Sequence, residues 1–330
     1  MAAGHQCWGG AGGGVAERAA THRHGGPESP SASRPPHLLS GDLYAFRLYL
    51  PDVKVFPLPF TYPPFAAVLF LPLAAPAWPV ASAAWTLVSI LALIALVHRS
   101  LRMAAPWLPA ARHRQRVLLW SAVLLWSEPV SATLGLGQIN LLLAALVLLT
   151  VQHRSPAPRG RRYRCRRRHQ ADPRSYRVVH LLAHGRWRAA LWSLVAFTTT
   201  VAAGWLAAPG ASRTCWFHLI GDTSRFGPIG SGLNQSLRGA LSRALGHDAG
   251  WTAPWWALAL LAAVAALSAA TRSARRADLL GSLVAVQLLG LLVSPISWVH
   301  HWVWAVPPLC ALLTLAALLR PTPKGDAVSS

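Results

Sequence analysis

Acidic residues are scarce in this 330-residue chain, where Asp and Glu together number 10. Lysine is nearly missing, with Lys54 and Lys324 alone, and charged residues of every kind make up only 12%. A soluble basic protein, such as a nucleic-acid binder, is rich in charge. The scarcity therefore argues against that class even though the formal net charge is +21. The four cysteines, Cys7, Cys165, Cys215 and Cys310, have no metal-ligand spacing, and Cys310 lies in an apolar run. A zinc site and a disulfide framework are both excluded on that reading, and neither metal nor cofactor is expected. No apolar core of roughly 7–15 residues follows the start, so residues 1–40 do not read as a signal peptide. A Gly-rich phosphate loop is missing as well. So is any internal repeat, which argues against a transporter.

What the chain does have is apolar mass: 53% of residues are hydrophobic and 16 are Trp. Together with the low charge this predicts an all-α, polytopic integral membrane bundle. Apolar runs occupy Val80–Val97, Val117–Trp126, Leu134–Val151, Ala189–Ala208, Pro254–Ala270, Leu279–Pro295 and Trp302–Leu319. The second run can be read as continuing through Glu128 and Pro129. Most approach the roughly 20 residues that cross a bilayer, and about seven to nine membrane segments are expected. Tyr62–Ala75 is shorter and reads as a re-entrant or tilted piece. Residues 1–40, rich in Gly, Ala, Ser, Pro and His, read as disordered, as does the tail 321–330. The domain between them is expected to run from 41 to 320.

The positive charge is concentrated. Residues 154–177 hold ten Arg and one Asp, which is +9 of the +21, and the rest of the chain carries an ordinary +12. Arg99, Arg102, Arg112, Arg114, Arg116, Arg186, Arg188, Arg272, Arg275, Arg276 and Arg320 lie between or beside the apolar runs. Placing them all in the cytoplasm gives a consistent alternation. The segments 127–138, 209–253 and 294–301 then fall on the outer face.

That alternation gathers the boundary polar residues on one side: Glu128, Gln138, Asn140, Asn234, Gln235, His300 and His301. Polar groups near a bilayer are costly and are retained for a use. Glu128 can serve as an acid, a base or a ligand, or simply meet water at a helix end. Gln138 and Asn140 can contact sugar or phosphate, or hydrogen-bond neighbouring helices. His300 and His301, between Trp298 and Trp302, fit either a site or an aromatic belt with two wet imidazoles. Trp298, Trp302 and Trp304 offer faces on which a sugar stacks, although Trp is also the usual interface anchor.

Read together, the strings carry more. Phe60-Thr-Tyr-Pro-Pro-Phe65 precedes an apolar run ending in Pro72-Leu73-Ala74. Glu128-Pro129-Val130 and Gly137-Gln138-Ile139-Asn140 follow, then Asn234-Gln235-Ser236-Leu237-Arg238-Gly239, and last Ser294-Pro-Ile-Ser-Trp-Val-His-His301. In this order and spacing the set resembles glycosyltransferase family 87, polytopic enzymes of the GT-C superfamily, over roughly residues 41–320 apart from the Arg block. The resemblance implies a plasma-membrane mannosyltransferase with its active site on the extracytoplasmic side. The donor would be polyprenyl-phosphate-mannose, the acceptor a glycolipid or lipoglycan in the bilayer, and the new bond α-(1→2). Nucleic acid is not expected as a partner. Asp42, Glu128, His300 and His301 become the catalytic candidates. Tyr62, Gln138, Asn140, Asn234, Gln235 and Trp298 become the substrate-binding ones. An inverting transfer needs a base for the acceptor hydroxyl, and an outer-face carboxylate suits that role. Another GT-C sugar, arabinose or glucose, is the alternative within enzymes. A transporter or a non-catalytic membrane scaffold is the alternative outside them.

The chain departs from the family pattern twice. The family has a first membrane helix followed by an Asp-Leu-x-Val-Tyr stretch. Here residues 1–40 contain neither, and Asp42, in Gly41-Asp-Leu-Tyr-Ala-Phe46, matches it poorly. Where the Arg block lies, the family has a small-residue segment ending in Ile/Val-Lys-Leu-Thr-Pro. Back-translating Arg162–Pro173 with GC-rich codons and reading one nucleotide later, with one further base, yields Gly-Thr-Gly-Val-Ala-Ala-Ala-Ile-Lys-Leu-Thr-Pro. This block is therefore expected to be an out-of-frame, irregular stretch, with loss of activity as a consequence. The ordinary readings of such a block are a cytoplasmic loop on anionic lipid or a nucleic-acid contact.

Overall fold

The computed structural model describes residues 42–45, 47–48, 58–153, 187–219, 221–276 and 278–319. The expectations for residues 1–40, 154–177 and 321–330 lie outside these. The described residues fall into two compact units: 42–87, 187–234 and 238–248 in the first, and 88–153, 235–237 and 249–319 in the second. The architecture is all-α, with one minimal strand pairing.

The first unit opens with a 3-10 turn, Asp42–Tyr44. Strands β1 (Arg47–Leu48) and β2 (Leu58–Pro59) pair antiparallel, with Arg47 opposite Pro59 and Leu48 opposite Leu58. Helix α1 (Pro64–Phe70) starts on a proline at its first position, where the missing N–H costs no helical bond. It passes into a 3-10 turn, Leu71–Ala74. This is the short apolar piece expected from Tyr62–Ala75.

The second unit contains most of α2 (Trp78–Ala104), a 27-residue helix long enough to cross a bilayer. Leu93, Leu96, Val97 and Leu101 recur along one face and are fully buried, whereas Leu87, Val88 and Leu91 are exposed. A stripe facing the bundle and leucines facing outward are what a bilayer solvent permits. Next come α3 (Ala110–Leu125), α4 (Glu128–Gly135) and α5 (Asn140–His153). The reading of Val117–Pro129 as one continuous run is corrected here, because α3 and α4 meet at a bend of 72°. Pro129 explains it: in an unbroken helix its ring would collide with the carbonyl of Leu125, four residues earlier. The Leu134–Val151 run is likewise interrupted, at Gly137, whose φ of 62° is left-handed.

Helix α6 (Trp187–Ala207) and α7 (Pro209–Thr214) belong to the first unit and are separated at Pro209. A π-helical turn, Cys215–Leu219, and a 3-10 turn, Thr223–Phe226, lead to α8 (Leu237–Leu245). The core of this unit is Leu43, Tyr44, Ala208, Ala211 and Cys215. In the second unit, α9 (Ala253–Arg275) packs along α10 (Leu279–Val293). The Asp278 side chain caps α10 by accepting from the Gly281 N–H at 2.9 Å. A 3-10 turn, Val299–Ala305, runs into α11 (Val306–Leu319). Val117, Val130, Leu141, Leu148, Leu283 and Val303 join the α2 stripe in one core.

Against the seven to nine segments expected, three helices among the described residues have the length and apolarity to cross: Trp78–Ala104, Ala253–Arg275 and Val299–Ala317. The bent pair α3–α4 makes a fourth, and shorter apolar helices cover Pro64–Ala74, Asn140–Leu149, Leu194–Ala207 and Leu279–Val293.

Helix α1 lies against α6 at Gly204, where an added Cβ would sit 3.2 Å from the Phe65 backbone nitrogen. Gly204→Val is expected to cost about 2 kcal/mol by overpacking, read as a lowered thermal midpoint of the detergent-solubilised protein.

Candidate functional site

In the second unit, three of the strings converge on the non-helical stretch 294–298 and the turn that follows it. Leaving α10, the chain has carbonyls with no helical partner, and side chains supply the donors. The Gln235 backbone N–H donates to the Ser297 carbonyl at 2.8 Å. Ser236 Oγ donates to the Pro295 carbonyl at 3.1 Å, and Ser294 Oγ to the Ile296 carbonyl at 2.8 Å. Asn140 Nδ2 donates to the His300 carbonyl at 3.0 Å. Thr133 Oγ1 lies 2.7 Å from the Pro129 carbonyl and 3.1 Å from that of His300, sharing its one hydrogen between them.

Two of the expected substrate contacts therefore have structural duties. Asn140 holds the His300 backbone through its amide nitrogen, and Gln235 binds through its backbone while its side chain is exposed. Gln138 is half-buried in the α4–α5 connection, its N–H donating to the Thr133 carbonyl at 2.9 Å.

The two histidine rings lie 4.5 Å apart at 80°. His301 Nδ1 accepts from the Trp298 backbone N–H at 3.2 Å. A neutral His301 then carries its hydrogen on Nε2, so that nitrogen donates to whatever approaches it. Trp298 is half-buried at the head of the turn, and Trp304 packs against the unit's core. Trp302 Nε1 is buried without a hydrogen-bond partner among the described residues.

Glu128 is the first residue of α4, which packs against the 299–305 turn. It is exposed, and no described residue pairs with its carboxylate.

The other three candidates belong to the first unit. Asp42 opens the 3-10 turn before Tyr44. The Tyr62 carbonyl accepts from Tyr44 Oη at 2.8 Å, and burial raises the pKa of the Tyr62 phenol. Asn234 is fully buried and organises its own loop. Its Nδ2 donates to the Ile229 carbonyl at 2.9 Å, and its carbonyl accepts from Arg243 at 2.7 Å. Gly239 is required beside it, because a Cβ there would lie 2.7 Å from the Asn234 side chain and carbonyl. Sequence reasoning missed Thr133, Ser236 and Ser297. All three are small polar residues, and the two serines sit inside quoted strings. Among the described residues no group of three or more His, Cys, Asp or Glu is placed to hold a metal ion.

Fold and site together define a multi-pass helical membrane protein with a polar cluster built where helices break. The family model for glycosyltransferase family 87 matches residues 60–162 and 177–295. The chain belongs to that family. Residues 163–176, within the Arg block, fall between the two matched stretches.

Curated relatives agree. A Mycobacterium tuberculosis (strain CDC 1551 / Oshkosh) protein named polyprenol-phosphate-mannose-dependent alpha-(1-2)-phosphatidylinositol pentamannoside mannosyltransferase is 39% identical over 281 residues, 85% of this chain and 64% of that one. A protein of the same name from Mycolicibacterium smegmatis is 37% identical, over 83% of this chain and 65% of its own. A polyprenol-phosphate-mannose-dependent alpha-(1-2)-phosphatidylinositol mannoside mannosyltransferase of M. tuberculosis H37Rv is 36% identical, over 76% and 61%. The chain thus spans just under two thirds of the length of these relatives. No solved structure matches it.

The Asn234 loop is closed by a bidentate pair, Arg238 Nε to Asp248 Oδ1 at 3.0 Å and Nη2 to Oδ2 at 2.8 Å. The Arg238 side chain is 8% exposed and that of Asp248 48%. Asp248→Ala leaves the buried guanidinium without its carboxylate. A loss of about 2 kcal/mol is expected, discounted for the half-exposed partner, and checked by thermal unfolding in detergent.

Proposed function

We propose that the protein is a plasma-membrane mannosyltransferase working on the extracytoplasmic face. It would transfer mannose from polyprenyl-phosphate-mannose to the 2-hydroxyl of a phosphatidylinositol mannoside or related lipoglycan. The observation that carries this is the meeting, in one unit, of the helix that begins with the exposed Glu128 and the turn bearing both histidines. The names and similarity of the curated relatives supply the donor and acceptor classes.

In the displacement, the acceptor oxygen bonds to the anomeric carbon as the bond from that carbon to the phosphate oxygen breaks. Polyprenyl phosphate leaves with the electron pair. Glu128 takes the acceptor proton. His301, donating from Nε2, stabilises charge on the departing phosphate, and Trp298 gives a sugar a face to stack on. Asn140 and Thr133 position this constellation by fixing the His300 carbonyl; they do not touch the reacting atoms.

A membrane assay with radiolabelled polyprenyl-phosphate-mannose and a phosphatidylinositol mannoside acceptor tests this. Glu128→Gln is expected to lower kcat about 100-fold or more with little change in donor KM. Asn140→Leu should lower kcat about tenfold while the protein still elutes as a folded species. Unimpaired transfer by Glu128→Gln removes that residue from the role of base.

A second reading concerns the Arg block. The family match skips 163–176, which supports the inference that this stretch is translated out of frame and that activity is diminished by it. The gene's own codons test the point: the inference fails if the second frame does not encode the small-residue string. Where it does, transfer should be faster in a frame-corrected version than in this chain. Absence of transfer by either version overturns the mannosyltransferase assignment.

A further inference from the structure

The polar cluster of Glu128, His300 and His301 occupies one end of the second unit. Helix α3 starts at Ala110 and runs 16 residues, about 24 Å, before the bend that leads to Glu128. Its start and the α2–α3 connection therefore lie at the other end. Contacts with α11 agree. Arg116 Nη1 donates to the Thr314 carbonyl at 3.0 Å, and Trp120 Nε1 to the Thr314 hydroxyl at 3.1 Å, well down α11 from the histidine turn. The chemistry above uses nothing at this end.

This end is basic, and nearby acids do not offset the charge. Residues 98–116 contain five Arg and two His, and no acidic residue stands between Asp52 and Glu128. Arg99 has a further partner, and Arg116 is half-buried with a donor on Thr314. Arg102, Arg112 and Arg114 are exposed. Arg102 lies in the last turn of α2, where a cation suits the helix dipole. Those of α3 stand against it. Arg112 and Arg114 come early in the helix, near the positive end of its dipole, with no acidic residue in the first turn and no side-chain cap at Pro109. Arg112 and Arg116 are also four residues apart, a like-charged pair on one face. Helix stability does not explain these charges.

Between the two groups of arginines the chain presents an apolar tip. Trp107 is 67% exposed, and Pro106 and Pro109 are exposed beside it. The platform beneath is fixed. The Leu108 N–H donates to the Ala105 carbonyl at 3.2 Å and closes a turn. His98 Nδ1 and His113 Nε2 form a hydrogen bond of 3.1 Å that joins α2 to α3, and His113 is only 6% exposed. Arg112 and Arg114 flank His113, each about 100° round the helix from it. Burial of that imidazole thus leaves both guanidiniums facing outward.

An exposed indole flanked by guanidiniums, at the end of a membrane bundle, fits the headgroup layer of a bilayer. Indole settles at the boundary between acyl chain and water, and guanidinium pairs with phosphate. A soluble polyanion would use the arginines and leave Trp107 and the prolines without apolar cover, whereas a phospholipid covers both. Among phospholipids, phosphatidylcholine carries a trimethylammonium that meets the arginines as a like charge, so an anionic headgroup is preferred.

We propose that the α2–α3 connection is a binding surface for anionic phospholipid. Trp107 sits among the headgroups of the leaflet at that end, and Arg102, Arg112 and Arg114 bind their phosphates. The proposal needs only the membrane fold and is independent of the transfer chemistry.

The test is photolabelling of the full chain in phosphatidylcholine nanodiscs doped with phosphatidylglycerol that carries a diazirine near its headgroup. Labelled peptides are expected within residues 102–116. A phosphatidylcholine probe of the same design should label this stretch several-fold less. A basic side chain at a bilayer surface is worth about fivefold in binding, so Arg112→Gln should lower phosphatidylglycerol labelling by about that factor and the Arg112→Gln, Arg114→Gln pair by about 20-fold. Lysine at both positions should retain most of it. Trp107→Leu should lower labelling by both probes and keep their ratio. Salt at about 1 M should abolish the preference for the anionic probe. Should the double variant fail to fold, the ratio of the two probes on the unaltered chain decides the question. Equal labelling by both probes, or label confined to other residues, overturns the proposal. Displacement of the label by inorganic phosphate or a short RNA also overturns it, in favour of a soluble anion.

Discussion

A peptide carbonyl facing hydrocarbon has no water to bond, so a membrane helix can be interrupted only where another donor reaches the gap. Much of the second unit follows from this constraint. Between α10 and α11 the chain runs non-helically from Ser294 to Trp298 and then tightens into a 3-10 turn. The carbonyls of residues 295, 296, 297 and 300 each receive a donor: Ser236, Ser294, the Gln235 backbone, and Asn140 with Thr133. The small polar residues in these strings thus stand where broken helices meet. Chemistry can occur there because irregular backbone at a membrane boundary brings side chains from separate helices within reach of one another.

The fold class was legible in the sequence because length, low charge and apolar runs report directly on the solvent that a helix meets. The runs Val80–Val97 and Pro254–Ala270 lie inside the helices Trp78–Ala104 and Ala253–Arg275, although Arg272 and Arg275, read as part of a loop, extend the second helix. Element lengths were less legible. Glu128-Pro129 can be read as the end of a span or as a step within one, and only the position of Pro129 relative to the Leu125 carbonyl decides for the bend. Gly137 has a similar ambiguity, since a left-handed residue inside an apolar run is invisible to hydropathy.

The candidate site was legible as a list of residues more than as a set of roles. The strings containing Glu128, Asn140, Gln235 and His300–His301 do converge within the second unit. What composition could not say is which atom of each residue is engaged. Asn140 offers its amide nitrogen to a backbone carbonyl, and Asn234 is sealed inside its own loop. Trp304 is a core residue, and a row of aromatic rings from Tyr44 to Trp85 draws on three separate stretches of chain that share no motif. Contacts over such distances leave no periodic trace.

The 72° turn between α3 and α4 does more than shorten a span. By starting a new helix at Glu128, it puts a carboxylate-bearing residue in the first turn, at the positive end of a backbone dipole. For the displacement proposed here, a general base and an anionic lipid phosphate must work in the same reaction, and two like charges resist sharing it. The helix terminus offsets part of the carboxylate's field, so an approaching phosphate meets less repulsion than it would from an isolated anion. The kink is thus an electrostatic shield as well as a change of direction.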